Sequence, residues 1–171
     1  MKTKLINIFE LFLILVAQVV VSNNVDFGPA VMISFYPFYI LSKPYKTPSY
    51  FLMLSAFILG LSIDLFTVGL PGLNAASAVF LAFLQPTLLV VVFRKGDLEN
   101  HPRPGIIDYG ITSFLIYILI GVTIHNLFHT LVENFGTPFI SESISRLILS
   151  IVINTLIIVF IEFGIYYKNR R

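Results

Sequence analysis

The chain has 171 residues, 57% of them hydrophobic and 12% charged, with a mean hydropathy of +0.90, whereas soluble domains carry charge on about a quarter of their residues. This composition specifies a membrane protein, and the gaps between its apolar runs are too short to hold a soluble catalytic or binding domain. The absence of cysteine excludes disulfides, thiolate catalysis and Cys-based metal sites, and the net charge of +2 lies in short flanking segments, an ordinary topology signal and no basic patch for nucleic acid.

A helix needs roughly 20 apolar residues to cross about 30 Å of hydrocarbon. By that measure the sequence predicts an all-α, polytopic integral membrane protein, a single transmembrane domain over residues 1–171. It has about six spans, near 5–21, 30–42, 49–66, 74–93, 106–128 and 144–167. The first follows Lys2 and Lys4, a pattern shared with signal peptides, but its length and the polar Glu10 and Gln18 inside it favour a retained helix. The second, "AVMISFYPFYILS", would be only roughly 20 Å long as a helix and contains Pro37, so it is expected to be short, kinked or partly re-entrant. Keeping it places Lys2, Lys4, Lys43, Lys46, Arg94, Lys95, Arg103, Lys168, Arg170 and Arg171 on one side, which the positive-inside rule makes cytoplasmic together with both termini. Only Arg146 is left over.

On the third span Ala56, Gly60 and Asp64 follow at i, i+4 and share one stripe, where small residues admit a close neighbour. Asp64 lies about 24 Å along that helix from Pro48, near the outer boundary. Gly69, Pro71 and Gly72 are expected to turn the chain there, and Asn74 to start the fourth span, on which Ala78 and Ala82 form a second small-residue stripe. The small residues of the two spans could receive a partner helix or each other.

The loop "RKGDLENHPRPG" is the one inside segment long enough to present a distinct surface. The fifth span ends with His125, His129 and Glu133 on a stripe below Gly121, which could grip a divalent metal or simply be a polar stripe at the water boundary. On the sixth, Arg146, Ser150, Asn154, Ile158 and Glu162 recur at i, i+4 and should face the bundle. Arg146 sits at about the depth of Asp64, so a buried Asp64–Arg146 pair would account for both residues. The alternative pairs Arg146 with Glu142 and leaves Asp64 to cap the end of its own helix. Glu10 and Glu162, each near an inner end, read as interfacial residues near basic groups.

No glycine-rich phosphate loop, dinucleotide fingerprint or nucleophile elbow is present. The chain is therefore expected to be no enzyme and to use no cofactor.

"GLSIDLFTVGLPGLNAAS", Gly60–Ser77, resembles the signature of the MreD family of rod shape-determining membrane proteins, at Gly60, Asp64, Thr67, Gly69, Pro71, Gly72, Leu73, Asn74 and Ala75. Length, span number, inside termini and a short second span after a Gly-Pro such as that in "DFGPAVMI" also fit. The chain departs from the pattern in setting Pro71 directly against Gly72 and in having Asn74 where many members have histidine. The resemblance implies a membrane subunit of the bacterial cell-wall elongation complex, in the cytoplasmic membrane. Its expected partners are an MreC-like bitopic protein, membrane lipids and, indirectly, MreB, RodA and a class B penicillin-binding protein. That fold looks like the substrate-binding subunits of vitamin transporters, so a small-molecule uptake subunit is the competing expectation. It would need an outward pocket, which Asp64, Asn74, His125, His129 and Arg146 could line. An intramembrane enzyme is a third, hinted at only by the histidine stripe.

Overall fold

In hydrocarbon a backbone must satisfy its own hydrogen bonds, so long apolar runs become helices. A computed structural model describes residues 2–25, 31–101, 103–135 and 141–169. Its helices are α1 (Lys2–Asn24), α2 (Pro37–Leu41), α3 (Ser49–Phe66), α4 (Leu73–Val92), α5 (Lys95–Asn100), α6 (Ile106–Glu133) and α7 (Ser141–Asn169), and no strand occurs among the described residues. α3, α4, α6 and, over Glu142–Ile165, α7 are long and apolar enough to cross a membrane, and α1 carries a shorter apolar stretch, Phe9–Asn24. The protein is thus an all-α, multi-pass membrane protein.

Local chemistry sets the boundaries. Pro48, whose fixed φ suits the start of a helix, precedes α3. Thr67 closes that helix, its N–H and its Oγ1 both donating to the Ile63 carbonyl. Gly110 kinks α6 just after its first turn with φ 76°, a backbone conformation that glycine adopts without a steric penalty.

Glu10 near the start of α1 binds Lys43, and Arg103, ahead of α6, binds Glu162 near the end of α7. Glu10 and Arg103 line one cavity, so both pairs lie at one end of the bundle, the basic end. At the opposite, corner end, Asn23 Nδ2 donates to the Phe66 carbonyl. α5 is fastened across the basic end: Leu98 is buried, and the Tyr109 hydroxyl lies 2.7 Å from the His101 carbonyl.

The second predicted span is not a helix through the membrane. Residues 31–35 have no regular secondary structure and only Pro37–Leu41 are helical. This segment becomes the centre of the bundle, and Tyr36, Tyr39, Ile40 and Leu41 are almost wholly buried. Gly121 of α6 is the seat for Leu41, since a Cβ there would lie 2.7 Å from a Leu41 methyl. The Gly28–Pro29 approach to this segment, and the side chains of Lys2, Lys4 and Lys168, lie outside the described residues.

The small-residue stripes of α3 and α4 face each other and form the most extensive helix pair. Ala56, Ala78 and Ala82 have no exposed surface, so these stripes are spent inside the chain and do not offer a surface to a partner helix.

Candidate functional site

The corner between α3 and α4 is built from groups that a helix end leaves unsatisfied. The first N–H groups of a helix have no partner within it and attract negative charge. Asp64, one turn from the end of α3, supplies both needs for α4. Its Oδ1 accepts from the Asn74 N–H at 3.1 Å and from Asn74 Nδ2 at 2.9 Å, and its Oδ2 accepts from the Ala75 N–H at 3.0 Å. It is a helix cap delivered from the neighbouring helix.

Gly60 makes that delivery possible. A Cβ at this position would lie 2.6 Å from Ala75 Cα and 2.6 Å from the Asn74 carbonyl oxygen, both backbone atoms that cannot swing aside. Gly72, with φ 85°, occupies the N-cap position and sends the chain into α4. Gly69 and Pro71 are exposed turn residues, and a side chain at Gly69 would meet nothing. Asn74 is therefore not the cap itself. It lies inside the first turn and links Asp64 to the core.

That link runs through Tyr36. Its hydroxyl lies 2.7 Å from His125 Nε2 and 3.2 Å from Asn74 Oδ1. His125 Nδ1 lies 3.1 Å from Asn126 Oδ1; Tyr36 has one hydroxyl proton, so the histidine tautomer decides whether it is given to His125 Nε2 or, when Nε2 carries its own proton and donates to the Tyr36 oxygen, to Asn74 Oδ1. Asp64, Asn74, Tyr36, His125 and Asn126 thus form one polar seam joining α3, α4, the segment before α2, and α6.

A second polar cluster holds residues 32–36. Gln18 Oε1 accepts from the N–H groups of Phe35 and Tyr36, and its Nε2 donates to the Ile33 carbonyl. From α7, Asn154 accepts from the Ser34 N–H at 2.9 Å and donates to the Met32 carbonyl at 3.0 Å, while Ser150 Oγ accepts from the Met32 N–H. Lower down, Gln85 donates to the Lys43 carbonyl and Tyr117 to that of Leu41. These side chains replace the hydrogen bonds that a helix would have made for itself.

The Asp64–Arg146 pair does not form, and neither does its alternative with Glu142. Arg146 Nη1 bonds both oxygens of Glu133, at 3.0 and 3.2 Å. The reason is the demand on Asp64: its oxygens are taken by α4, whereas Glu133 at the end of α6 has none to serve. Asp64 does cap a helix, but the next one and not its own. The rest of the α7 stripe faces inward as expected, with Ser150, Asn154, Ile158 and Glu162 buried. Glu10 and Glu162 are ion-pair partners of Lys43 and Arg103.

His125 and His129 are neighbours, ring centroids 6.3 Å apart, but His125 is turned to Tyr36 and Asn126. No three His, Asp or Glu side chains among the described residues converge as a ligand set. The buried seam holds no nucleophile beside a free base: Asp64 is saturated by donors and Tyr36 is locked between Asn74 and His125.

Sequence reasoning missed Tyr36, Gln85, Tyr117 and Asn126, and noted Gln18 only as a polar residue within the first span. Each is a polar group inside an apolar run, which is a signal in itself. Their partners lie mostly on distant segments, and no spacing rule points to those. Comparison of the chain with protein-family models, with curated proteins and with solved structures finds no match.

Proposed function

We propose that the protein is a non-enzymatic membrane subunit of the bacterial cell-wall elongation complex, of the MreD type, in the cytoplasmic membrane. In this role it binds an MreC-like bitopic protein and, through it, connects MreB with RodA and a class B penicillin-binding protein. The observation that carries the reading is the α3–α4 corner. The residues that resemble the family signature act as one mechanical unit: Gly60 admits the α4 backbone, Asp64 caps it, Gly72 makes the turn, and Asn74 ties it to Tyr36.

A unit of this kind fixes the shape of a scaffold and performs no chemistry, as an assembly subunit requires. With the α3 and α4 stripes buried against each other, the docking surface is sought elsewhere. The fastened α5 loop exposes Arg94, Lys95, Asp97 and Glu99 on the side that the charge pattern makes cytoplasmic.

Depletion in a rod-shaped host, combined with retrieval on a tagged copy, tests the reading. Loss of rod shape together with co-purification of an MreC-like protein supports it. Normal shape together with a defect in uptake of a small molecule overturns it in favour of a transporter subunit.

A further inference from the structure

A cavity of about 680 Å³ opens at the corner end, within the size range of small-molecule sites. Glu133 and Arg146 are the only ionised side chains among the described residues lining it, and they are bonded to each other. Their side chains are 28% and 33% exposed, so the pair is open to exchange. His129 also lines the cavity. It is 6% exposed, and its buried Nδ1 makes no hydrogen bond. A buried polar atom left without a partner costs about 1–3 kcal/mol, which a bound donor would recover.

The geometry points to a binding site for a small zwitterion of the amino-acid or dipeptide class, taken from the corner side, with its carboxylate on Arg146 and its ammonium on Glu133 and His129. A ligand with one charge would part the Glu133–Arg146 pair and leave one member without a partner in a partly exposed site. A zwitterion replaces both charges at once. His129 Nδ1 lies 3.8 Å from Glu133 Oε2, so a single ammonium can donate to both. With its proton on Nε2, His129 offers Nδ1 as the acceptor that the ammonium requires.

The rest of the lining selects the class. Ile33, Ile63 and Leu73 supply an aliphatic wall, and no Phe or Tyr ring is among the described residues around the cavity. A sugar or nucleobase would find no stacking platform there, whereas an aliphatic side chain finds contact. The carboxamide of Asn74, whose Nδ2 already serves Asp64, borders the same space and connects the site with the corner.

The test uses the purified full chain in detergent, so it is independent of the cell-shape reading. Thermal stability is followed with L-leucine, L-alanyl-L-leucine, leucine methyl ester, N-acetyl-leucine and N-acetyl-leucine amide. The two zwitterions are expected to raise the Tm by a few degrees through linkage, and the analogues lacking one or both charges to have no effect. Glu133→Gln combined with Arg146→Gln is expected to weaken zwitterion binding at least about tenfold by calorimetry, with an unchanged size-exclusion profile. The inference is overturned if neither zwitterion shifts the Tm, if the amide shifts it equally, or if the double variant binds as the parent does. The analogue series needs no variant, so it decides the matter even if the double variant fails to fold.

Discussion

Two regions of this protein solve the same problem in opposite ways. At the α3–α4 corner the backbone is helical almost throughout, and only the first N–H groups of α4 need an outside partner. One carboxylate, Asp64, serves two of them. In the 31–35 segment the backbone has no regular secondary structure to pair it. It draws on Gln18, Ser150 and Asn154 from two other helices to replace its missing bonds. The corner is a local device that depends on close approach, while the clamp is assembled from distant elements and depends on side-chain donors and acceptors. Failure at the corner should therefore be steric and severe, and failure at the clamp should scale with the number of backbone groups released.

The largest effect is expected for Gly60→Val. The new side chain would collide with the backbone of Asn74 and Ala75, and neither α3 nor α4 can move without opening their shared stripe. A loss above the usual 1–3 kcal/mol of overpacking follows, about 4 kcal/mol. It should be seen as near-complete loss of folded, monodisperse protein after extraction. Retention of a parental melting curve would show that the two helices can separate at this level.

Gln18→Leu comes next. It conserves volume approximately and strands two N–H groups and one carbonyl at membrane depth. At about 1 kcal/mol or more for each unpaired group, the expected cost is roughly 3 kcal/mol. Asn154→Leu releases one N–H and one carbonyl and should cost less, about 2 kcal/mol by the same reasoning. Reversal of that order in unfolding measurements would mean that α7, and not α1, carries the segment.

What could be read in advance follows the same division. The place of the corner was legible because Gly60, Asp64, Gly72 and Asn74 fall within one short stretch; that Asp64 caps the next helix, with Asn74 inside its first turn, was not. The inward stripe of Ser150, Asn154 and Glu162 was legible from helical periodicity alone. What those side chains touch was not, because a stripe gives a direction and no partner. The second span was legible as short, kinked or partly re-entrant, because its apolar run is too short to cross as a helix and contains Pro37; nothing local said that Gln18 and Asn154 would hold residues 32–36. The Asp64–Arg146 pair failed for a related reason: matching depth and opposite charge do not account for competing donors, and three N–H groups of α4 outbid a distant guanidinium.

The smallest effect, and the sharpest check on the comparison, comes from a double-mutant cycle at Asp64 and Arg146. Asp64→Asn keeps one acceptor oxygen but turns an NH2 toward donors, so it should cost about 1–2 kcal/mol, as for a weakened helix cap. Arg146→Gln removes a partly exposed ion pair with Glu133 and should cost less than about 1 kcal/mol. Because the two residues share no partner, the double variant should equal the sum of the singles within about 0.5 kcal/mol. Additivity in thermal or denaturant unfolding would establish the corner as self-contained, closed by α4 alone. A coupling of about 1 kcal/mol or more would mean that Arg146 reaches the corner after all, and that the corner and the α6–α7 end act as one unit.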